Sequence, residues 1–284
     1  MIVVTLAAVA IFLIAQSVPA FFATGETASI LTDDFWSYVG PLVFGTVWAA
    51  VLALVIALPL AIGIALFISH YAPRKLAQLL GYIVDLLAAV PSVVFGLWGI
   101  GVLAPAIQPI YSWLVDHMGW FPLFAGPASG TGRTILTAAI VLAVMVLPII
   151  TAICREIFLQ TPVLHEEAAL ALGATRWEMI RLSVLPFGRA GIVSAAMLGL
   201  GRALGETMAV AMVLSATGGI SLLLLTSQNP STIAANIALT FPEAYGENIN
   251  VLIATGLILF IVTFLVNAIA RVIVNRRKEF SGAN

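Results

Sequence analysis

The chain has 284 residues, 62% of them apolar and 9% charged, with mean hydropathy +1.13 and net charge -1. A soluble domain carries roughly 25% charged residues, so this composition excludes a water-dissolved globule. The lack of a basic excess excludes a nucleic-acid partner, because a duplex-binding surface needs concentrated Lys and Arg to displace counterions, and the single cysteine, Cys154, excludes an internal disulfide and a thiol-rich metal site.

A bilayer core about 30 Å thick takes roughly 20 mainly apolar residues in helical form. By that length, six transmembrane segments are predicted, at 2–22, 41–69, 79–104, 135–153, 188–214 and 249–274. Helices follow from segment length and the absence of dyad alternation, since backbone groups in lipid are satisfied within the segment. The expected fold class is therefore all-α and polytopic, with residues 1–284 forming a single transmembrane domain. No cleavable signal peptide is evident ahead of the first segment, whose apolar run from Ile2 has no basic flank.

Basic residues in short loops favour the cytoplasmic side. Arg74 and Lys75 follow segment two, Arg155, Arg176, Arg181 and Arg189 flank the connection between segments four and five, and Arg271, Arg276, Arg277 and Lys278 close the chain. Ten of the twelve basic residues thus lie on one side, which places both termini in the cytoplasm. Trp36, Tyr38, Trp113, Trp120 and Phe121 fall on the other side, as aromatic rings at a membrane interface do.

Segment three contains Pro91, Gly96, Gly99 and Gly101, and the stretch 217–248 contains Gly218, Gly219 and Asn229-Pro230. Both invite broken helices, which membranes tolerate where backbone is buried in protein or lines a pathway. Arg133, near the outer end of segment four, has two readings: an anion contact at a pathway mouth, or a headgroup contact.

Between segments four and five, residues 161–186 are too polar to span and read as two short helices. Thr161 is expected to cap the first with Pro162 at its first position, and Gly173 to end it. Thr175-Arg176-Trp177-Glu178 matches a capping box that opens the second. Held at the membrane surface, such an element suits insertion into a groove of a soluble partner. Segment five carries GRALGET at 201–207. Charges at membrane depth are retained chiefly where they face a bundle interior or a pathway, which makes Arg202 and Glu206 candidates. At about 100° per residue, Gly191, Ala195, Gly199, Arg202, Glu206 and Ala209 share one helical stripe. Its small residues favour close helix approach. Arg202 and Glu206 are either an intrahelical pair that fixes packing or part of an anion pathway, since guanidinium matches tetrahedral oxyanions with paired N–H donors. His70, His117 and His165 share no metal-ligand spacing.

Glu167-Ala168-Ala169, Gly173 and Leu185-Pro186 stand at the spacing of the EAA loop and so resemble bacterial ABC importer permeases; Ser183 stands where that pattern has Ile. GRALGETMAV (201–210), VPSVVFGLWG (90–99) and EAALALGATRWEMIRLSVLP look like the PstC-type permease of the phosphate-specific importer, with Leu214-Ser215-Ala216-Thr217-Gly218 departing from the pattern. The resemblance implies a type I ABC importer permease fold and docking of Glu167, Ala168, Ala169, Gly173, Leu185 and Pro186 on an ATPase. It also implies a sister permease of PstA type, two ATP-binding subunits of PstB type and an extracytoplasmic phosphate-binding protein of PstS type. No P-loop exists here, the only lysines being Lys75 and Lys278. The chain is thus expected to bind no cofactor and to be no enzyme, with ATP and Mg held by the partner. Other cargoes (sulfate, molybdate) and a gradient-driven secondary transporter are the competing expectations.

Overall fold

The computed structural model describes residues 2–278, with the side chains of residues 2, 3, 6, 270 and 273–278 excepted. The side chains of Arg276, Arg277 and Lys278, on which part of the charge asymmetry rests, therefore lie outside the described residues. The described residues are overwhelmingly helical, and they divide into two compact units to which three long helices each contribute a part.

Unit one comprises, among the described residues, 2–52, 92–142 and 204–266. It holds α1 (Ile2–Ser17), the first part of α2 (Phe35–Leu66), α4 (Ser92–Trp98), α5 (Ala104–Met118), the start of α6 (Ile135–Leu159), α10 (Met208–Val213), α11 (Ile233–Thr240) and most of α12 (Glu247–Lys278). One part of its core gathers Ala20, Ala28, Leu31, Phe35 and Val39 against Val251 and Ala254 of α12. Phe21 meets Phe35 edge to face at 5.3 Å, an arrangement that ring quadrupoles favour.

The non-helical stretch 214–232 is organised by Asn229, which is fully buried. Its amide donates to Ser215 O (3.2 Å) and Thr226 O (2.9 Å), and its Oδ1 accepts from Ile135 N (3.1 Å). Buried backbone without secondary structure needs such partners. Thr46 Oγ1 likewise accepts from Ile233 N at 2.9 Å, at the start of α11.

Unit two comprises, among the described residues, 53–91, 143–203 and 267–278. It holds the rest of α2, the wide π turn Phe67–Tyr71 that ends it, α3 (Arg74–Ala88), the rest of α6, α7 (Val163–Ala171), α8 (Arg176–Met179) and all but the last residue of α9 (Leu185–Leu204). Gly191 and Gly199 of α9 face Ile157 and Ile150 of α6 so closely that an added Cβ would collide with each. The small-residue stripe expected from spacing thus seats α9 on α6.

Among the described residues five helical stretches are long and apolar enough to cross a membrane: Phe35–Tyr71, Ser92–Met118, Ile135–Leu159, Arg176–Leu204 and Glu247–Ile269. A shorter apolar helix, Ala7–Phe22, stands where the first segment is expected. Two expected segments shift. Segment three splits at Ala89–Pro91 into the amphipathic α3 and the span Ser92–Met118, because Pro91 offers no N–H and biases Val90 away from helix. Segment five starts earlier and stops at Leu204 instead of Leu214.

Candidate functional site: a docking loop and a broken helix

In the loop of unit two, Thr161 is buried and its hydroxyl has no hydrogen-bond partner, so it does not cap α7. Pro162 occupies the cap position instead, with extended backbone (φ -61°, ψ 125°), and the helix opens at Val163, one residue later than expected. The other two punctuation marks form as predicted. Gly173 adopts φ +86°, with Ala174 N donating to Ala169 O at 3.2 Å and Gly173 N to Leu170 O at 2.9 Å, the Schellman closure that a left-handed residue permits. Thr175 Oγ1 accepts from Glu178 N (3.3 Å) while Glu178 Oε2 accepts from Thr175 N (2.8 Å), a complete capping box.

Leu185 and Pro186 open α9 directly after the π turn Ile180–Val184, whose wide closure runs from Leu185 N to Ile180 O. A proline in regular helix would clash with the carbonyl four residues back, here Leu182; the wide turn relieves that clash. Ser183, the departure from the EAA pattern, donates its hydroxyl to His165 O of α7 at 3.1 Å, and so ties the loop's second half to its first.

Ala168, Ala169, Leu172 and Gly173 line, with Ala174, Glu178, Arg181 and Leu182, an open concavity of about 860 Å³. Glu167, next to Ala168 in sequence, is exposed. The loop also exposes large apolar groups, Leu172 at 89%, Leu182 at 67% and Trp177 at 55%. A charged loop that leaves such side chains uncovered has the character of a protein contact surface.

The pathway candidates are placed differently from the sequence reading. α9 ends at Leu204 and α10 begins at Met208, so the stripe is interrupted before Glu206 and Ala209. Gly205 weakens helix, and the Glu206 carboxylate takes the backbone N–H of Ala209 (3.1 Å) that would otherwise accompany a continuing helix. Among the described residues no ion pair joins Arg202 to Glu206. Arg202 is half-buried in unit two, and none of the hydrogen bonds or ion pairs among the described residues involves its guanidinium. Glu206 belongs to unit one and is 9% exposed.

In unit one the VPSVVFGLWG run touches α10, which follows GET. A Cβ on Gly96 would lie 2.9 Å from Met212 Sδ and 3.0 Å from the Ala209 Cα, and one on Gly99 would lie 2.7 Å from both Val141 and Val213. α4 and the π turn Gly99–Leu103 that follows it are therefore seated on α10 through Gly96 and Gly99. Arg133 is neither exposed nor isolated: its Nη2 donates to Met212 O (3.2 Å) and Leu214 O (3.5 Å), holding the carbonyls that α10 leaves unpaired at its end. These hydrogen bonds give Arg133 a structural role beside the two readings offered by the sequence. Periodicity has no signal for it, because the partners lie 79 and 81 residues away.

Residues 57–279 match the family of binding-protein-dependent transport system inner membrane components. The chain is 47% identical over 286 aligned positions, covering 96% of it and 87% of the relative, to the phosphate transport system permease protein PstC 2 of Mycobacterium tuberculosis. It is 43% identical to the phosphate transport system permease protein PstC of Mesorhizobium japonicum, covering 100% of this chain and 88% of that protein. In fold it resembles a chain of the MetNI methionine ABC transporter in an inward-facing conformation, with TM-score 0.60, 18% identity and coverage of 84% and 95% of the two chains. Its helical architecture is that of type I ABC importer permeases, a class of non-catalytic membrane subunits that work with a separate ATPase. The chain belongs to the binding-protein-dependent inner membrane components, and within them to the PstC-type permeases.

Proposed function

We propose that this chain is the permease subunit through which an ATP-driven importer moves inorganic phosphate across the bacterial inner membrane, as a single permease domain with both termini in the cytoplasm. The cargo rests on the PstC-type relatives named for phosphate transport. The observation that carries the site is Arg202, a half-buried guanidinium near the end of a candidate span, without a counter-ion among the described residues. An unpaired cation at membrane depth is costly unless an anion or water meets it, and guanidinium offers tetrahedral oxyanions a fork of donors.

Glu206 adds selectivity in this reading. One carboxylate oxygen starts α10; the other is left to accept a hydrogen bond from a protonated phosphate, which fully ionised sulfate cannot donate. Arg133 acts at one remove, by fixing the end of α10. The loop concavity around Ala168, Ala169 and Gly173, flanked by Glu167 and followed by Leu185 and Pro186, receives an ATP-binding subunit of PstB type, which holds ATP and Mg. A sister permease of PstA type completes the pathway, and a PstS-type protein delivers phosphate from outside.

The test is phosphate uptake and phosphate-stimulated ATP hydrolysis by the reconstituted complex carrying Arg202→Ala or Arg202→Lys. Both variants should assemble and lose most flux, Lys included because a point charge does not replace the fork. Wild-type flux in both would remove the site. A competition assay with sulfate and molybdate decides the cargo.

A further inference from the structure

None of the nine residues of α7 is buried, so packing alone does not fix this helix. Among the described residues, two side-chain contacts tie it to other elements: Ser183 Oγ on His165 O, and Glu166 Oε1 at 3.4 Å from His70 Nε2. His70 belongs to the π turn that ends the span Phe35–Tyr71, and its side chain is 9% exposed against 22% for Glu166. Successive helical residues point about 100° apart. Half-buried Glu166 accordingly turns toward α2, while exposed Glu167, the motif residue, is left for a partner.

The ring is held from its other side as well. Ser69 Oγ lies 2.7 Å from His70 Nδ1 and 2.8 Å from Ala65 O, so the imidazole is seated on α2 while its Nε2 faces the Glu166 carboxylate. The neighbouring elements bring Arg74 and Lys75 at the start of α3, His165 and Glu167 on α7, and Arg181 in the turn before α9; among the described residues only Glu166 lies within ion-pair distance of His70.

We propose that His70 is a positioning residue for energy coupling: its contact with Glu166 makes the end of the α2 span follow α7 when a docked ATPase moves the loop. The proposal rests on the permease reading above. It assigns to the pair a mechanical role, transmission of a loop displacement into a membrane helix.

The experiment measures phosphate moved per ATP hydrolysed in proteoliposomes holding this chain with its sister permease, ATPase and binding protein. His70→Leu and Glu166→Gln should each lower that ratio roughly three- to tenfold, the loss of one partly exposed charge-assisted contact, while ATP hydrolysis persists. The double variant should be no worse than either single one, and the exchanged pair H70E/E166H should recover part of the ratio. Unchanged ratios in the single variants, additive losses in the double one, or an exchanged pair no better than the singles would overturn the latch while leaving the permease reading standing. A wild-type complex that hydrolyses ATP without moving phosphate would overturn both.

Discussion

Glu206 Oε1 accepts the backbone N–H of Ala209 at 3.1 Å, so a carboxylate that helical spacing pairs with Arg202 instead begins α10. One consequence is that Glu206 and Arg202 separate as targets. Replacing Glu206 by Ala removes the acceptor and should cost about 1 kcal/mol, as loss of a helix cap does, seen as a lower melting temperature of the purified complex. Glu206→Gln keeps an acceptor oxygen and should keep stability, yet lose phosphate uptake through the second oxygen. Unchanged uptake in Glu206→Gln would confine the residue to starting the helix.

Arg133 is expected to behave in the opposite way to Arg202. Arg133→Met leaves the carbonyls of Met212 and Leu214 without their donor, and should destabilise the protein by about 1.5–3 kcal/mol, the worth of hydrogen bonds to a charged group. Flux should fall in step with the folded fraction. A fully stable Arg133→Met protein with no flux would instead make Arg133 a direct cargo contact.

The glycine seat beside α4 predicts a contrast within the π turn Gly99–Leu103. Gly99→Ala puts a methyl 2.7 Å from Val141 and Val213, whereas Gly101→Ala meets nothing within 4 Å. Overpacking should cost the first variant about 1–3 kcal/mol and the second close to nothing, compared by thermal unfolding in the same detergent.

Gly173 has open space around its Cα but a φ of +86°. Gly173→Ala should therefore lose about 1 kcal/mol through backbone strain alone. It should also splay α7 from α8, weakening ATPase binding while the membrane part stays folded. Co-purification of the ATPase at graded salt measures this, and undiminished retention would show that the turn does not set the docking geometry.

Local chemistry made much of this molecule readable from its residues. Gly173, and Thr175 with Glu178, act within a few positions of themselves, and the structure realises both as the sequence dictates. Thr161 misled because Pro162 took the cap position in extended backbone, leaving the hydroxyl buried and unpaired. The length and apolarity of the spans were equally legible, since a bilayer demands them of any chain that crosses it. Their ends were less so: Gly205 and Pro91 weaken a helix without saying whether tertiary contacts will override the break.

The amino-acid sequence by itself determined that this is a helical, membrane-embedded chain with a two-helix loop of the EAA pattern, because hydropathy, proline, glycine and capping act over short distances. Only the tertiary structure decided that Asn229 organises the irregular stretch, that Arg133 closes α10, that Glu206 turns to the Ala209 N–H, and that His70 reaches Glu166. These contacts join residues whose meeting depends on how helices pack, except for Glu206, where a short-range competitor, the Ala209 N–H, prevailed over an equally short-range pairing. No periodicity encodes which of two nearby partners a buried charge will choose, since that choice is settled by the desolvation cost of leaving either one unmet.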